Sequence, residues 1–441
     1  MSKLKLEQIA AFVLEAAKKA GATDSFVQIV QSTSFSVDVR DGKFESTEDN
    51  DNFGVSFAAY IGKQSASESG HERSRTKLRE LVERVVSTAR LSPPDQYKGL
   101  PEADQMLAAK DLQDFDLLDA SLTKVSRKKA TELALRAEAA ALAYDPRVTI
   151  SNGGSYAQSR KTEYYANSRG FAAATHTGFC RLNVGVVAAS GNEKQTGGWG
   201  SSKRYFEDLD TPENLGRLAA QEAVEKLNGR RVKSQVVPMV ADRQLAARLL
   251  GYFAQAASGS KLYTRQSFLL DKIGQQVAHA DINIVDDPHV QRGLASRGWS
   301  DHGLPTNRRD IVKGGVLQDY FMDLYSSRRL GTKPNGGQSS NLYIVAGKST
   351  PEEIVASVDN GLFLQEISGH GFNPTNGNIS FSASGQWIEN GKKAFPVSGI
   401  TIAGNLLELF LGIEAVGNDL IWDSSTVSPT LKFKSIAVAG E

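Results

Sequence analysis

Cysteine is almost absent: Cys180 is the single one in 441 residues, so no intrachain disulfide can form. That fits a reducing compartment, and a cytoplasmic protein is expected. Long apolar runs are missing too. None approaches the roughly 18 to 20 residues that carry a helix across a bilayer, so no membrane association is expected. Residues 1–21 do not read as a secretory signal. Leu6, Ile9, Phe12, Val13 and Ala16 recur at helical spacing, broken by Glu7, Glu15, Lys18 and Lys19, and Gly21 marks the stop. An excess of one charge is also lacking, with 51 Lys and Arg against 50 Asp and Glu. Without a broad basic field, non-specific nucleic-acid binding is not expected. The doublets Lys128-Lys129, Arg230-Arg231, Arg308-Arg309 and Arg328-Arg329 are short and scattered, as solvated faces are.

The familiar catalytic patterns are missing as well. Six histidines occur, none in a His-Glu-x-x-His arrangement. No Gly-x-Ser-x-Gly elbow is present, since Gly298-Trp299-Ser300-Asp301-His302 resembles one only superficially. Cys180 falls within an apparent strand, where a buried, inert thiol is the common case. The nearest approach to a metal cluster is Asp286-Asp287-Pro288-His289, with Asp301-His302 downstream; a turn leaving a strand is the competing reading. In Ser368-Gly369-His370-Gly371, glycines bracket a histidine. Such a loop could offer backbone N–H groups and an imidazole to a ligand, or be a plain turn.

What is present is ordinary globular patterning. Residues 26–31 and 35–46 alternate as strands, with Asp41-Gly42 as a hairpin turn, and 53–62 reads as a more buried strand. Helices are expected at about 75–90, at 126–144 behind Ser126, and near 211–227. A glycine-rich loop is expected at about 190–203. A second half opens with a helix capped by Asp242, carrying Leu245, Leu249, Phe253 and Ala257 at every fourth position and ending at Gly259. Strand patterns then dominate, with Asn390-Gly391 as a hairpin turn and short helices at about 351–359 and 404–413. The expected class is α+β, in two domains: a mixed N-terminal domain over 1–229 and a sheet-rich C-terminal domain over 230–441.

Three long passages carry a resemblance: SFLLDKIGQQVAHADINIVDDPHVQRGLASRGWSDHGLPTNRRDIVKGGVLQDYFMDLYSSRRLG (267–331), GLFLQEISGHGFNPTNGNISFSASGQWIENGKKAFPVSGITIAGN (361–405) and SPTLKFKSIAVAG (428–440). They resemble the TldD/PmbA family, long labelled modulators of DNA gyrase and understood as peptidases. The opening helix, DVRDGKFES and FGVSFAAYIG extend the likeness more loosely over the first half. In that family the TldD-type subunit carries His-Glu-x-x-x-His on the helix that opens the second domain. Its two histidines and a cysteine near the C-terminus hold zinc, and the glutamate is the general base. In this chain Gly251, Tyr252 and Ala256 fall at those positions, and IWDSSTVSPTLKF has no cysteine. Glycine and alanine have no donor atom, and a tyrosine hydroxyl is a poor base at neutral pH.

The resemblance therefore implies a PmbA (TldE)-type subunit without the zinc motif, no cofactor of its own, and zinc in a TldD-type partner. It implies a heterodimer enclosing a chamber for unfolded peptides, with a homodimer as a further possibility. Ser267, Phe268, Asp301, Gly303, Gly369 and His370, in the best-matching loops, are expected near that chamber. Two other readings stay open: a stand-alone peptidase with a site around Asp286, Asp287, His289 and His302, and a non-enzymatic regulator that binds gyrase or another protein.

Overall fold

The computed structural model describes residues 5–440. Its first half is built on six antiparallel strands: β1 (Asp24–Arg40), β2 (Lys43–Ile61), β3 (Gln64–Gly70), β4 (Val148–Asn167), β5 (Ala172–Ser190) and β6 (Glu193–Lys203). They lie in the order β3-β2-β1-β4-β5-β6. The two expected segments at 26–31 and 35–46 belong to one unbroken hairpin. Ser32 pairs with Asn52 on one side and Lys161 on the other, so the polar stretch between them has no reason to leave the ladder. Asp41 and Gly42 turn that hairpin with φ of 52° and 72°, as a tight primed turn requires.

Helices α1 (Leu6–Lys19) and α2 (Arg75–Leu91) cover one part of the sheet, burying Ile9, Val13, Leu78, Val82 and Val85 against Val27, Ile29 and Val55. Helices α3 (Arg127–Leu142) and α4 (Pro212–Glu225) cover the rest through small residues, Ala134, Ala137, Ala219 and Ala223. Ser126 caps α3 by accepting from the Lys129 amide, and Thr211 caps α4 by accepting from Asn214. The expected loop at 190–203 is instead strand β6. A Cβ on Gly197 would stand 2.2 Å from the Ala219 carbonyl oxygen, so the glycine is there to let α4 lie against the strand. It does not loosen the chain.

Among the described residues the second half has two main sheets, beside a two-stranded pairing of Trp299–Ser300 with Leu304–Pro305. In the larger, the strands Lys392–Asn405, Asn378–Glu389, Asn360–Ser368, β7 (Gln235–Ala241), Leu431–Ala439 and Ile413–Val416 follow one another. Lys392–Asn405 also pairs with Leu431–Ala439, so the sheet curls shut. Helix α5 (Arg243–Ala256) is capped by Asp242, whose Oδ1 accepts from the Leu245 amide at 2.8 Å. The α5 residues Leu245, Leu249, Leu250 and Phe253 share a core with Met239, Leu364 and Phe433. Gly259 does not end α5, which closes at Ala257; Gly259 opens the next short helix, where a Cβ would stand 2.5 Å from Ser326 Cβ. The smaller sheet orders Val316–Leu317, Arg309–Lys313, Ile284–Asp287, Asn341–Ile344 and Thr426–Val427. The class is α+β, with its strand-rich part C-terminal. Among the described residues no helix is long and apolar enough to cross a membrane.

Candidate functional site

Helix α5 buries its leucine face, and its other face borders a cleft of about 1130 Å³. Arg243, Gln244, Ala247, Arg248, Gly251, Tyr252 and Gln255 form that wall. The opposite wall comes from β5 and β6, with Arg181, Trp199, Gly200 and Ser202, and the third side is the segment 421–428. Both halves of the chain therefore contribute.

Two of the three positions expected to mark a replaced zinc motif face this cleft. A Cβ on Gly251 would meet nothing within 4 Å, so a side chain there would extend into open space. The Tyr252 ring is stacked on Phe372 and Phe381, with centroids 4.8 and 5.7 Å away. Its hydroxyl accepts from Arg248 Nε at 3.1 Å. Ala256 is fully buried in the core beneath the helix. Across the cleft, the C-terminal passage without a cysteine brings Asp423, Ser424, Ser425, Thr426 and Ser428. Among the described residues no three His, Cys, Asp or Glu come together to hold a metal ion. The side chains at the α5 positions do not fit the zinc site that the resemblance describes for TldD-type relatives.

The other six expected residues do not line this cleft. Ser267 is buried and donates to the Ala256 carbonyl oxygen at 2.7 Å, tying down the end of α5. Phe268 packs edge-on to Phe253, and its amide donates to the Pro374 carbonyl. Gly369, at φ 92°, and His370 stand exposed just beyond the strand that ends at Ser368. Asp301 and Gly303 lie elsewhere, against the first sheet. Asp301 Oδ2 accepts from the Leu324 amide at 2.9 Å, and desolvation raises its carboxyl above the usual range. Gly303, at φ 104°, is where the Phe171 ring leaves no room for a Cβ.

The acidic run is occupied by packing. Asp286 holds the buried Arg309 guanidinium at 3.0 Å, and Arg309 in turn donates to carbonyls of Asn335, Gly337 and Gln338. Asp287 accepts from the His289 amide, and the His289 ring stacks on Phe115. His302 shares a 2.7 Å hydrogen bond with the Tyr165 hydroxyl, and desolvation pushes its pKa down to about 4. Cys180 is fully buried in β5, and burial pushes its thiol up to about 12.

Sequence reasoning passed over Arg181, Arg204, Arg243, Arg248 and Trp199. The polar face of α5 was a usable signal for Arg243 and Arg248. Nothing local places β5 and β6 opposite that face, because the cleft forms only when the two halves meet.

The fold and the α5 cleft define a class: the chain belongs to the PmbA/TldD metallopeptidase family. The model of the PmbA/TldA metallopeptidase C-terminal domain matches residues 234–440, and that of the central domain matches 120–227. Metalloprotease PmbA of Escherichia coli O157:H7 is 32% identical over 99% of this chain and 96% of its own length. The Metalloprotease PmbA homolog of Haemophilus influenzae is also 32% identical, over 99% and 96%. A Bacteroides thetaiotaomicron crystal structure that carries a DNA gyrase modulator name superposes with a TM-score of 0.94 at 27% identity, covering 99% of both chains. TldE from Thermococcus kodakarensis shares the fold, with a TM-score of 0.86 at 20% identity over 97% of this chain and 99% of its own.

Proposed function

We propose that this chain is the non-catalytic subunit of a two-component metallopeptidase, working in the cytoplasm beside a TldD-type relative that holds the zinc. The observation that carries the reading is the α5 wall: Gly251 and Tyr252 face the main cleft where zinc-binding relatives would present a histidine and the general base. Losing two ligands, the base and the third ligand together cannot be offset by one neighbour. The cleft itself is kept, at a volume suited to an extended peptide. Its wall β6 is the edge strand of the first sheet, and an edge can accept an unfolded segment as an added strand. In this reading the chain divides at 229/230, and Gly369 and His370 face the shared chamber. Ser267, Phe268, Asp301 and Gly303 act through packing.

The test is co-expression with a TldD-type protein of the same cell, followed by co-purification and cleavage of an unstructured peptide with and without chelator. A heterodimer with chelator-sensitive cleavage, neither chain being active alone, is the expected result. A complex that never forms, in favour of a homodimer, would count against the subunit role. Co-elution with purified gyrase, in the absence of a TldD-type protein, would favour a regulator.

A further inference from the structure

The charged side chains bordering the α5 cleft are unbalanced: Arg181, Arg204, Arg243 and Arg248 against the single carboxylate of Asp423. Among the described residues, none of the four arginines forms an ion pair, although the chain as a whole has nearly equal numbers of both charges. Their partners are neutral. Arg181 Nε donates to Asn183 Oδ1 at 2.6 Å, and Arg248 donates to the Tyr252 hydroxyl and the Ile367 carbonyl. Arg204 is spent on the carbonyls of Gly178, Gly293 and Leu294. Arg243 is the least satisfied: its Nε is buried with no hydrogen-bond partner, and its guanidinium lies 5.6 Å from the Trp199 ring centre. It also sits in the first turn of α5, where the helix dipole adds to the positive potential.

Cations held in one concave site without direct ion pairs, with Asp242 as the one carboxylate that acts on Arg243 through space, favour an anionic occupant, and guanidinium groups pair best with carboxylates or phosphates. We infer that the cleft selects acidic polypeptide segments, rich in Asp and Glu, so that side-chain carboxylates of the bound strand meet Arg181, Arg243 and Arg248. This rests on the peptide-cleft reading above and adds a charge preference to it. A polypeptide is favoured over a nucleic acid because the chain belongs to a metallopeptidase family and its overall charge is balanced, with no broad basic field.

The experiment measures binding of the full-length chain to dye-labelled unstructured peptides of equal length by fluorescence anisotropy. The set comprises an Asp/Glu-rich, an uncharged polar and a Lys-rich peptide, plus a single-stranded oligonucleotide, each at low and moderate salt. The acidic peptide is expected to bind at least tenfold more tightly than the uncharged one, with the margin shrinking as salt rises. The Arg181→Gln/Arg243→Gln double variant should lose that margin. Arg181→Lys/Arg243→Lys, which keeps the charge, should retain most of it and guards against misfolding as the cause. Equal affinity for the three peptides overturns the charge preference while leaving a peptide cleft in place. Tighter binding of the oligonucleotide also overturns it. Binding of no peptide by the chain, alone or in its complex, overturns both readings.

Discussion

At the scale of single residues, the buried Cys180 and the half-buried His302 and Asp242 make the chain's chemistry checkable. Cys180 is fully buried in β5, with its sulfur 3.6 Å from the Lys203 carbonyl oxygen. A thiol reagent should leave it unmodified in the native protein at neutral pH and label it fully in denaturant; rapid native labelling would contradict its burial. His302 and Asp242 make opposite demands on pH. The unfolded chain takes up a proton on this imidazole near 6.5, whereas the folded chain resists until about 4. Stability therefore falls as pH drops through that window, by about 2 kcal/mol between pH 7 and 4.5. In His302→Gln, which carries no titrating group there, that decline should shrink by the same amount in urea titrations. An unchanged decline would refute the assignment. Desolvation instead pushes Asp242 up to about 6 from an ordinary 3.8, so this group loses stability as pH rises from 3.8 to 6. Asp242→Asn keeps a capping oxygen for Leu245. It should gain on the wild-type protein as pH goes from 4.5 to 7.5, and a deficit that grows with pH would count against it.

At the scale of elements, glycines decide which surfaces can touch. Gly197 and Gly216 sit where a Cβ would meet backbone, at 2.2 Å from Ala219 O and 2.4 Å from Ala137 O respectively. Gly197→Val should cost about 3 kcal/mol by forcing α4 off β6, read as a fall in melting temperature. Gly251 faces open space in a helix interior, so Gly251→Ala should stabilise by up to about 1 kcal/mol. If the two variants behave alike, the contacts assigned to them are wrong. The same distinction explains what could be foreseen. Helices α2, α3, α4 and α5 were legible because apolar spacing and a capping Ser, Thr or Asp agree. Strand β6 was not, since Gly197 serves a helix more than ten residues later in the chain and Gly200 makes room for the Asn183 side chain on β5. The helix Leu324–Leu330 was also missed, despite Asp323 as its cap and Gly331 at φ 68° as its stop; its polar Tyr-Ser-Ser-Arg-Arg run hides any periodicity. The α5 positions Gly251 and Tyr252 were legible through family resemblance alone. The arginine cleft needed the tertiary fold.

At the scale of the molecule, the two halves are tied by backbone-seeking arginines. Arg328 donates to the carbonyls of Tyr97, Gly99 and Leu100, and Arg204 reaches from the first sheet to Gly293 and Leu294. That docking sets β5 and β6 opposite α5 and so creates the cleft, which is why the site belongs to neither half alone. The central claim, that this chain shapes a peptide cleft while a relative supplies the metal, is tested most directly by counting zinc. Elemental analysis of the purified TldD-type complex should give one zinc per heterodimer, and the isolated chain should hold none. Stoichiometric zinc in the isolated chain, together with chelator-sensitive peptide cleavage, would contradict it.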